Sequence, residues 1–280
     1  FFSYPMGMPD ASSLFSCFRR HWPWTAWPIL WACCSGGLIR IIYAVGYGYG
    51  ISMVASAALS YLVRFWAVDR PLCATTAWGL ALYAGYGTRL FTFLFRRQHS
   101  ASYLSSKTWA RVEHNTQATP LPTKLSLTTF VSLSQLLILA TLDALCATPK
   151  ITPAPVRNFA CAAIGALGLL LETVADEQKM AFKALHPDLP IMSGVYSFCR
   201  HPNYLGEIIF WIGVVGHCVG NSDAPWHRRL IASVGPLFMI WVMVGAAARA
   251  DGMALDRYGK DPAFVAWVES TPSLWPRLPF

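Results

Sequence analysis

Residues 194–207 read Gly-Val-Tyr-Ser-Phe-Cys-Arg-His-Pro-Asn-Tyr-Leu-Gly-Glu, and they set Arg200, His201, Asn203, Tyr204 and Glu207 against the apolar segment 208–220. Polar groups gathered where a helix enters a membrane are costly to keep there, so the stretch reads as a site. Pro202 suits the first turn of a helix. Backbone amides at that helix start, together with Arg200 and His201, suit a phosphate. Asn203 and Glu207, spaced i,i+4 one turn further in, suit a carboxamide or a ribose hydroxyl, and Tyr196 and Arg200 share the same spacing. Interfacial anchoring by Arg, His and Tyr accounts for Arg200 and Tyr204 but not for Glu207 behind Leu205 and Gly206.

Two further clusters flank this one. Glu172, Asp176, Lys179 and Lys183 follow i, i+4, i+7, i+11 and therefore lie on one helical face. A helix leaving the membrane with salt bridges along Glu172, Asp176 and Lys179 would explain them. Glu172 fits that explanation least, because residues 163–171 before it are all apolar or small. After the last apolar segment come Asp251, Asp256, Arg257, Tyr258, Gly259, Lys260, Asp261 and Phe264, which alone read as a solvated helix end. Arg89 needs a partner if it lies in the bilayer, unless it snorkels to the interface.

The elements that must position these groups are membrane helices. Of the 280 residues, 55% are hydrophobic and 13% charged, about half the charge of a soluble domain. Mean hydropathy is +0.40. Apolar segments recur at 22–39, 41–63, 72–95, 127–148, 158–171, 204–220 and 230–248. A spanning helix needs about 20 residues, so the chain predicts an all-α, polytopic membrane bundle of six or seven transmembrane helices. Segment 158–171 is long enough only if it continues through Glu172 and Asp176. The longest polar stretch, 96–124, reads as a loop between spans. Trp22, Trp24, Trp27 and Trp31 suggest an interfacial belt, and His217 a packing residue.

With seven spans, 13 of the 22 Lys and Arg fall on the side of loop 96–124, eight fall opposite, and Arg89 lies within a span. This bias places the basic side in the cytosol or an organelle matrix, open to an anionic cofactor. The net charge of +8 is thus a matter of topology, and no nucleic-acid partner is expected. The eight cysteines show no CxxC and the seven histidines no HxxxH or HExxH, so no metal site is expected. A start at Phe1 would fit removal of an organelle-targeting peptide or a truncated chain. The chain reads as one membrane domain over 1–280, and its Pro-rich end (Pro272, Pro276, Pro279) as a tail packed along the surface.

Taken together, Glu172-x3-Asp176-x-Gln178-Lys179-x2-Phe182-Lys183, the string Arg200-His201-Pro202-Asn203-Tyr204-x-Gly206-Glu207 and Arg257-Tyr258-Gly259-x-Asp261-Pro262 with Pro276 resemble the C-terminal domain of the steroid 5-alpha-reductase superfamily. The nearest branch is its uncharacterised steroid-reductase-like membrane proteins. The resemblance covers about 160–280, with an echo in Trp78-Gly79-Leu80 and Arg89-Leu90. It implies a seven-span bundle in which 1–150 supplies N-terminal helices and 151–280 the cofactor-binding half. The implied activity is NADPH-dependent reduction of a carbon–carbon double bond in a lipid, whether sterol-like, isoprenoid or a fatty enone. Asn203 and Glu207 become cofactor contacts. Glu172, Asp176, Lys179, Lys183, Tyr196 and Tyr204 join the same pocket with Arg257 and Tyr258, while Arg200 and His201 lie near phosphate. The resemblance also implies an endoplasmic reticulum location, or a mitochondrial or plastid inner membrane if the start reflects a removed transit peptide.

Hydride delivery to an enone also needs a proton donor at the substrate oxygen, and a Tyr hydroxyl backed by a carboxylate would serve. The sequence assigns no such pair; Tyr43, Tyr83 and Tyr86 are candidates as phenols within spans. Relatives carry an acid and an Arg shortly after the Arg-Leu helix, where this chain reads Arg96-Arg97-Gln98-His99-Ser100-Ala101-Ser102-Tyr103. Two other functions compete. Isoprenylcysteine-type methyltransferases share an Arg-His-Pro-x-Tyr-x-Gly string but bind S-adenosylmethionine. A non-catalytic subunit of a larger membrane complex could keep the same fold.

Overall fold

A computed structural model describes residues 24–67, 74–146, 155–218 and 225–275. Among them the secondary structure is helical throughout, with no strand. The architecture is a helical membrane bundle, with α1 at Trp27–Cys34, α2 at Tyr49–Ala67 and α3 at Ala74–Gln98. Two short helices follow, α4 at Ala101–Leu104 and α5 at Lys107–Ala118. The long helices α6 (Leu121–Cys146) and α7 (Pro155–Leu185) come next, then α8 (Pro202–Cys218), α9 (Trp226–Tyr258) and α10 (Pro262–Ser270).

Among the described residues, four helices are long and apolar enough to cross a membrane: Ile41–Val63, Leu121–Ala144, Phe159–Leu185 and Trp226–Tyr258. α3, with 25 residues, and α8, with 17, pack among them. The segment expected to span at 22–39 is, in its described part, an eight-residue helix between two 3-10 turns. Two of its tryptophans tie it to the bundle. Trp27 and Trp31 donate to the hydroxyls of Ser132 and Thr129 on α6, at 3.0 and 3.1 Å, while Trp24 is exposed. Trp22, Pro276 and Pro279 lie outside the described residues.

Segment 158–171 does continue, so that α7 carries Glu172 to Lys183 on a single helix. The stretch 96–124, read as a loop, is instead folded into α4 and α5. The Ser106 hydroxyl starts α5 by accepting from the Trp109 amide at 3.1 Å. α9 runs through Pro236, whose missing N–H leaves the Ala232 carbonyl without its helical donor. The Thr141 hydroxyl of α6 supplies that bond at 2.5 Å, which lets a proline sit inside a continuous span.

Tyr49, Tyr83, Tyr86, Ile138, Phe210, Trp211 and Met239 form the central core. Tyr86 stacks on Phe210 at 4.5 Å between centroids, and Tyr83 meets Trp211 edge-on at 6.1 Å. α7 and α8 run backbone to backbone at Gly206, where a Cβ would stand 2.5 Å from the Glu172 nitrogen and 2.8 Å from the Gly168 carbonyl oxygen. That contact brings Glu207 to the level of Glu172.

Candidate functional site

At the end of the bundle where α3 and α7 finish and α8 begins, two cavities adjoin. The inner one, of about 380 Å³, is walled by α3, the α4–α5 segment, α7 and the start of α8. The outer one, of about 550 Å³, runs on between α5, the loop into α8 and the end of α9. Thr108, Lys179, Lys183, Tyr204 and Arg257 line both. Volumes of this order are those of small-molecule and cofactor sites.

The helical-face argument for α7 holds, but the partner of its acids is not Lys179. Arg89 of α3 donates to Glu172 Oε1 and Asp176 Oδ2, each at 2.5 Å, and to the Glu172 carbonyl at 2.9 Å. Two carboxylates one turn apart match the two arms of a guanidinium. The side chains of Arg89, Glu172 and Asp176 are 13%, 5% and 9% exposed, so this is a buried ion triad rather than a snorkelling arginine. Glu172 Oε2 is buried without a hydrogen-bond partner. Lys179, freed from the acids, is exposed to both cavities.

Asn203, Tyr204 and Glu207 of α8 line the inner cavity with Glu172 and Asp176. Glu207 Oε1 accepts from the Tyr49 hydroxyl at 3.1 Å and from the Trp211 indole at 3.5 Å. Tyr49, which the sequence did not single out, thus forms a phenol–carboxylate hydrogen bond with Glu207. The Tyr86 hydroxyl faces the same carboxylate but makes no hydrogen bond of standard geometry. Tyr83 donates to the Ile138 carbonyl at 3.1 Å, and Tyr43 accepts from Arg40 at 2.7 Å. Because Tyr49 is buried behind Glu207, the carboxylate lines the cavity and the phenol orients it.

Arg200 and His201 line the outer cavity, but their donors are committed within the protein. Arg200 grips Asp251 through Nε and Nη2, both at 2.9 Å, and its Nη1 donates to the Val268 and Thr271 carbonyls at 2.9 and 2.6 Å. His201 Nε2 lies 2.8 Å from Asp251 Oδ1, and the Ser273 hydroxyl donates to Oδ2 at 2.6 Å. Asp251 is thus a hub that ties the C-terminal strap 271–275 to the start of α8, not part of a merely solvated helix end. Backbone bonds from Arg200 to Pro272 and from His201 to Ser273 complete the strap. Burial holds the His201 imidazole below its ordinary range, against the opposing pull of Asp251.

Tyr196 donates to the Ala175 carbonyl at 3.2 Å and so fixes the loop on α7. Lys183 donates to the Pro187 and Leu189 carbonyls at 3.2 and 2.5 Å and to the Tyr258 hydroxyl at 3.2 Å. Arg257 pairs with the exposed Asp188 at 2.8 Å. All twelve residues proposed from the sequence line one cavity or the other. The sequence missed the opposite wall. Arg97, Ser100, Ser102, Tyr103, Ser106 and Thr108 line the inner cavity, and Lys107 and Arg111 the outer. Among the described residues, no group of three or more His, Cys, Asp or Glu is placed to hold a metal.

These residues also fall within the stretch that comparison with known proteins picks out. Neither a curated protein nor a solved structure matches the chain. A family match extends over residues 44–271, from the π-helical turn ahead of α2 to the residue after α10. The chain belongs to the family described as protein of unknown function (DUF1295).

Proposed function

We propose that this protein is a membrane oxidoreductase that uses NADPH to reduce a carbon–carbon double bond in a lipid-like enone. The observation that carries the reading is the gradient of chemistry along the two cavities. The inner end presents Glu207, Asn203 and the unpartnered Glu172 oxygen beside an apolar wall of Leu90, Phe93, Leu94 and Met180. The outer end presents Lys107 and Arg111, with Lys179, Lys183 and Arg257 on the boundary that both cavities share. A reduced dinucleotide has the same polarity: an uncharged ring with a hydrogen-bonding carboxamide at one end and a polyanionic phosphate portion at the other. Carboxyl oxygens accept from an amide NH2, and cations and amides hold phosphate. The resemblance of 172–183, 194–207 and 257–262 to the steroid 5-alpha-reductase superfamily supports the same assignment.

Bound NADPH would supply the hydride. The protein's part is to hold and orient the reactants, exclude water and provide a proton. Glu207, fixed by Tyr49 and Trp211, is held in one orientation at the inner end. Tyr103 and Tyr204 are the phenols that line the inner cavity, and the proton for the substrate oxygen is drawn from one of them. The apolar wall suits the hydrocarbon of a lipid. S-adenosylmethionine fits less well, since its sulfonium would meet a wall rich in cations. A subunit that had lost its ligand would be expected to fill the space with side chains.

The test is equilibrium binding of tritiated NADPH to the purified protein in lipid nanodiscs, with S-adenosylmethionine as competitor. Saturable binding that is lost in Glu207→Ala and Asn203→Ala, and unaffected by the competitor, is the expected result. Absence of binding by the unmutated protein overturns the reading.

A further inference from the structure

We propose that α4 and α5 form a hinged cap over the two cavities, latched shut by Arg40, and that opening of this cap is the route by which a ligand enters and leaves. The cap supplies Ser102, Tyr103, Ser106 and Thr108 to the inner cavity, and Lys107 and Arg111 to the outer. Yet neither helix buries a single residue. A 12-residue helix is marginal by itself, so the cap's position depends on what ties it down. The facing wall differs in kind: α7 and α8 are in backbone contact and cannot separate without exposing the core.

The ties are few and polar. Arg40, in the extended residue ahead of the turn at Ile41–Tyr43, donates to Glu113 Oε2 of α5 at 2.7 Å. The same guanidinium lies 4.8 Å over the Trp109 ring, and its other arm is held by the Tyr43 hydroxyl at 2.7 Å. Arg97 sits 5.0 Å over the Tyr103 ring, and Arg111 reaches the Met253 sulfur of α9 at 3.7 Å. The chain is extended at Ser100, Ser106 and Thr119, which are the breaks where a rigid α5 can swing. The Arg40 and Glu113 side chains are 26% and 37% exposed. An ion pair that open to water is worth a few-fold in equilibrium constant, and the ring contact adds a similar factor. Such a latch holds the cap closed most of the time and still releases it.

The latch rests on the cavity geometry alone; only the ligand arm of its test rests on the NADPH reading. Hydrogen–deuterium exchange of the ligand-free protein in nanodiscs reports cap opening directly. Arg40→Ala removes both contacts and should speed exchange of the 101–118 amides about tenfold. Glu113→Gln should speed it about threefold. The double variant should match Arg40→Ala, and the α7 amides at 163–180 should not change in any of them. A change under twofold at 101–118 in Arg40→Ala overturns the latch, as does equal acceleration in α7. In the second arm, stopped-flow release of bound NADPH should accelerate in Arg40→Ala by a factor similar to that seen in exchange, and unchanged release would overturn the cap as the ligand route. If the unmutated protein binds no NADPH, the cofactor reading fails while the exchange result still decides the latch.

Discussion

Replacing Arg89 with methionine removes the guanidinium that bridges Glu172 and Asp176 and leaves both carboxyl groups in a buried site without their cation. Breaking a buried pair by removing one partner costs about 3–5 kcal/mol, because the remaining charge has lost its compensation. Arg89 also satisfies the Glu172 carbonyl, which adds to that cost. For a chain of this size each kcal/mol moves the unfolding midpoint by about 2–4 °C, so a fall of roughly 10 °C is expected. Arg89→Lys keeps the charge but cannot span both carboxylates, and should lose roughly a third of that. The informative variant is Arg89→Met combined with Glu172→Gln and Asp176→Asn. Neutral amides need no cation, and replacing a whole buried ionic group is often nearly neutral, so most of the lost stability should return. Differential scanning fluorimetry in nanodiscs reads all four proteins. A fall under about 3 °C in Arg89→Met, or no recovery in the triple variant, would refute the claim that this triad holds α3 against α7.

Thr141→Val should cost about 1–2 kcal/mol, because it orphans the Ala232 carbonyl left free by Pro236. In a Pro236→Ala background the helix supplies its own donor, and the same substitution should cost under about 0.5 kcal/mol; equal costs in the two backgrounds would remove Thr141 from its proposed role. For His201, the folded protein favours the neutral ring, since burial holds its titration below the ordinary value of 6.5. The stability contributed by that preference is present above about pH 6.5 and is lost as pH falls through the lowered folded value. The unfolding midpoint should therefore drop as pH falls below about 6.5, and His201→Asn should flatten the drop. Parallel pH curves for the two proteins would show that His201 is not the group responsible.

The parts of the site visible in the sequence were those carried on one helix. A period of 3.6 places Glu172, Asp176, Lys179 and Lys183 on one face, and an i,i+4 step puts Asn203 and Glu207 together, whatever the tertiary fold. What could not be read was register between helices. Arg89 and Glu172 are 83 residues apart and Tyr49 and Glu207 are 158 apart, and nothing local fixes how far one helix slides along another. Among Tyr43, Tyr47 and Tyr49 the sequence gives no reason to choose, because all three sit in the same glycine-rich stretch. The cap was hidden for a different reason. Stretch 96–124 is too polar to register as a buried element, and it buries little; its helices are fixed by Ser106 and by side chains reaching in from outside.

Within the two cavities, the disposition of donors and acceptors separates residues that build the walls from residues left free to bind. Tyr196, Arg200 and Arg89 point at protein partners, and their loss should read out first as instability. The side chains of Lys179 and Asn203 make no hydrogen bond or ion pair among the described residues, and Glu172 keeps one oxygen unpartnered. The half-buried Asn203 amide and the buried Glu172 oxygen are groups rarely left in that state without a ligand or water to meet them, and Lys179 stands exposed to both cavities. The Arg-His-Pro-Asn-Tyr-x-Gly-Glu string is therefore divided in its work. Its first two residues clamp the C-terminal strap through Asp251, while Asn203, Tyr204 and Glu207 face the cavity. Substituting the first pair should lower stability and ligand affinity together, whereas Asn203→Ala should lower affinity with the unfolding midpoint almost unmoved, and that split is the signature of a binding residue rather than a structural one.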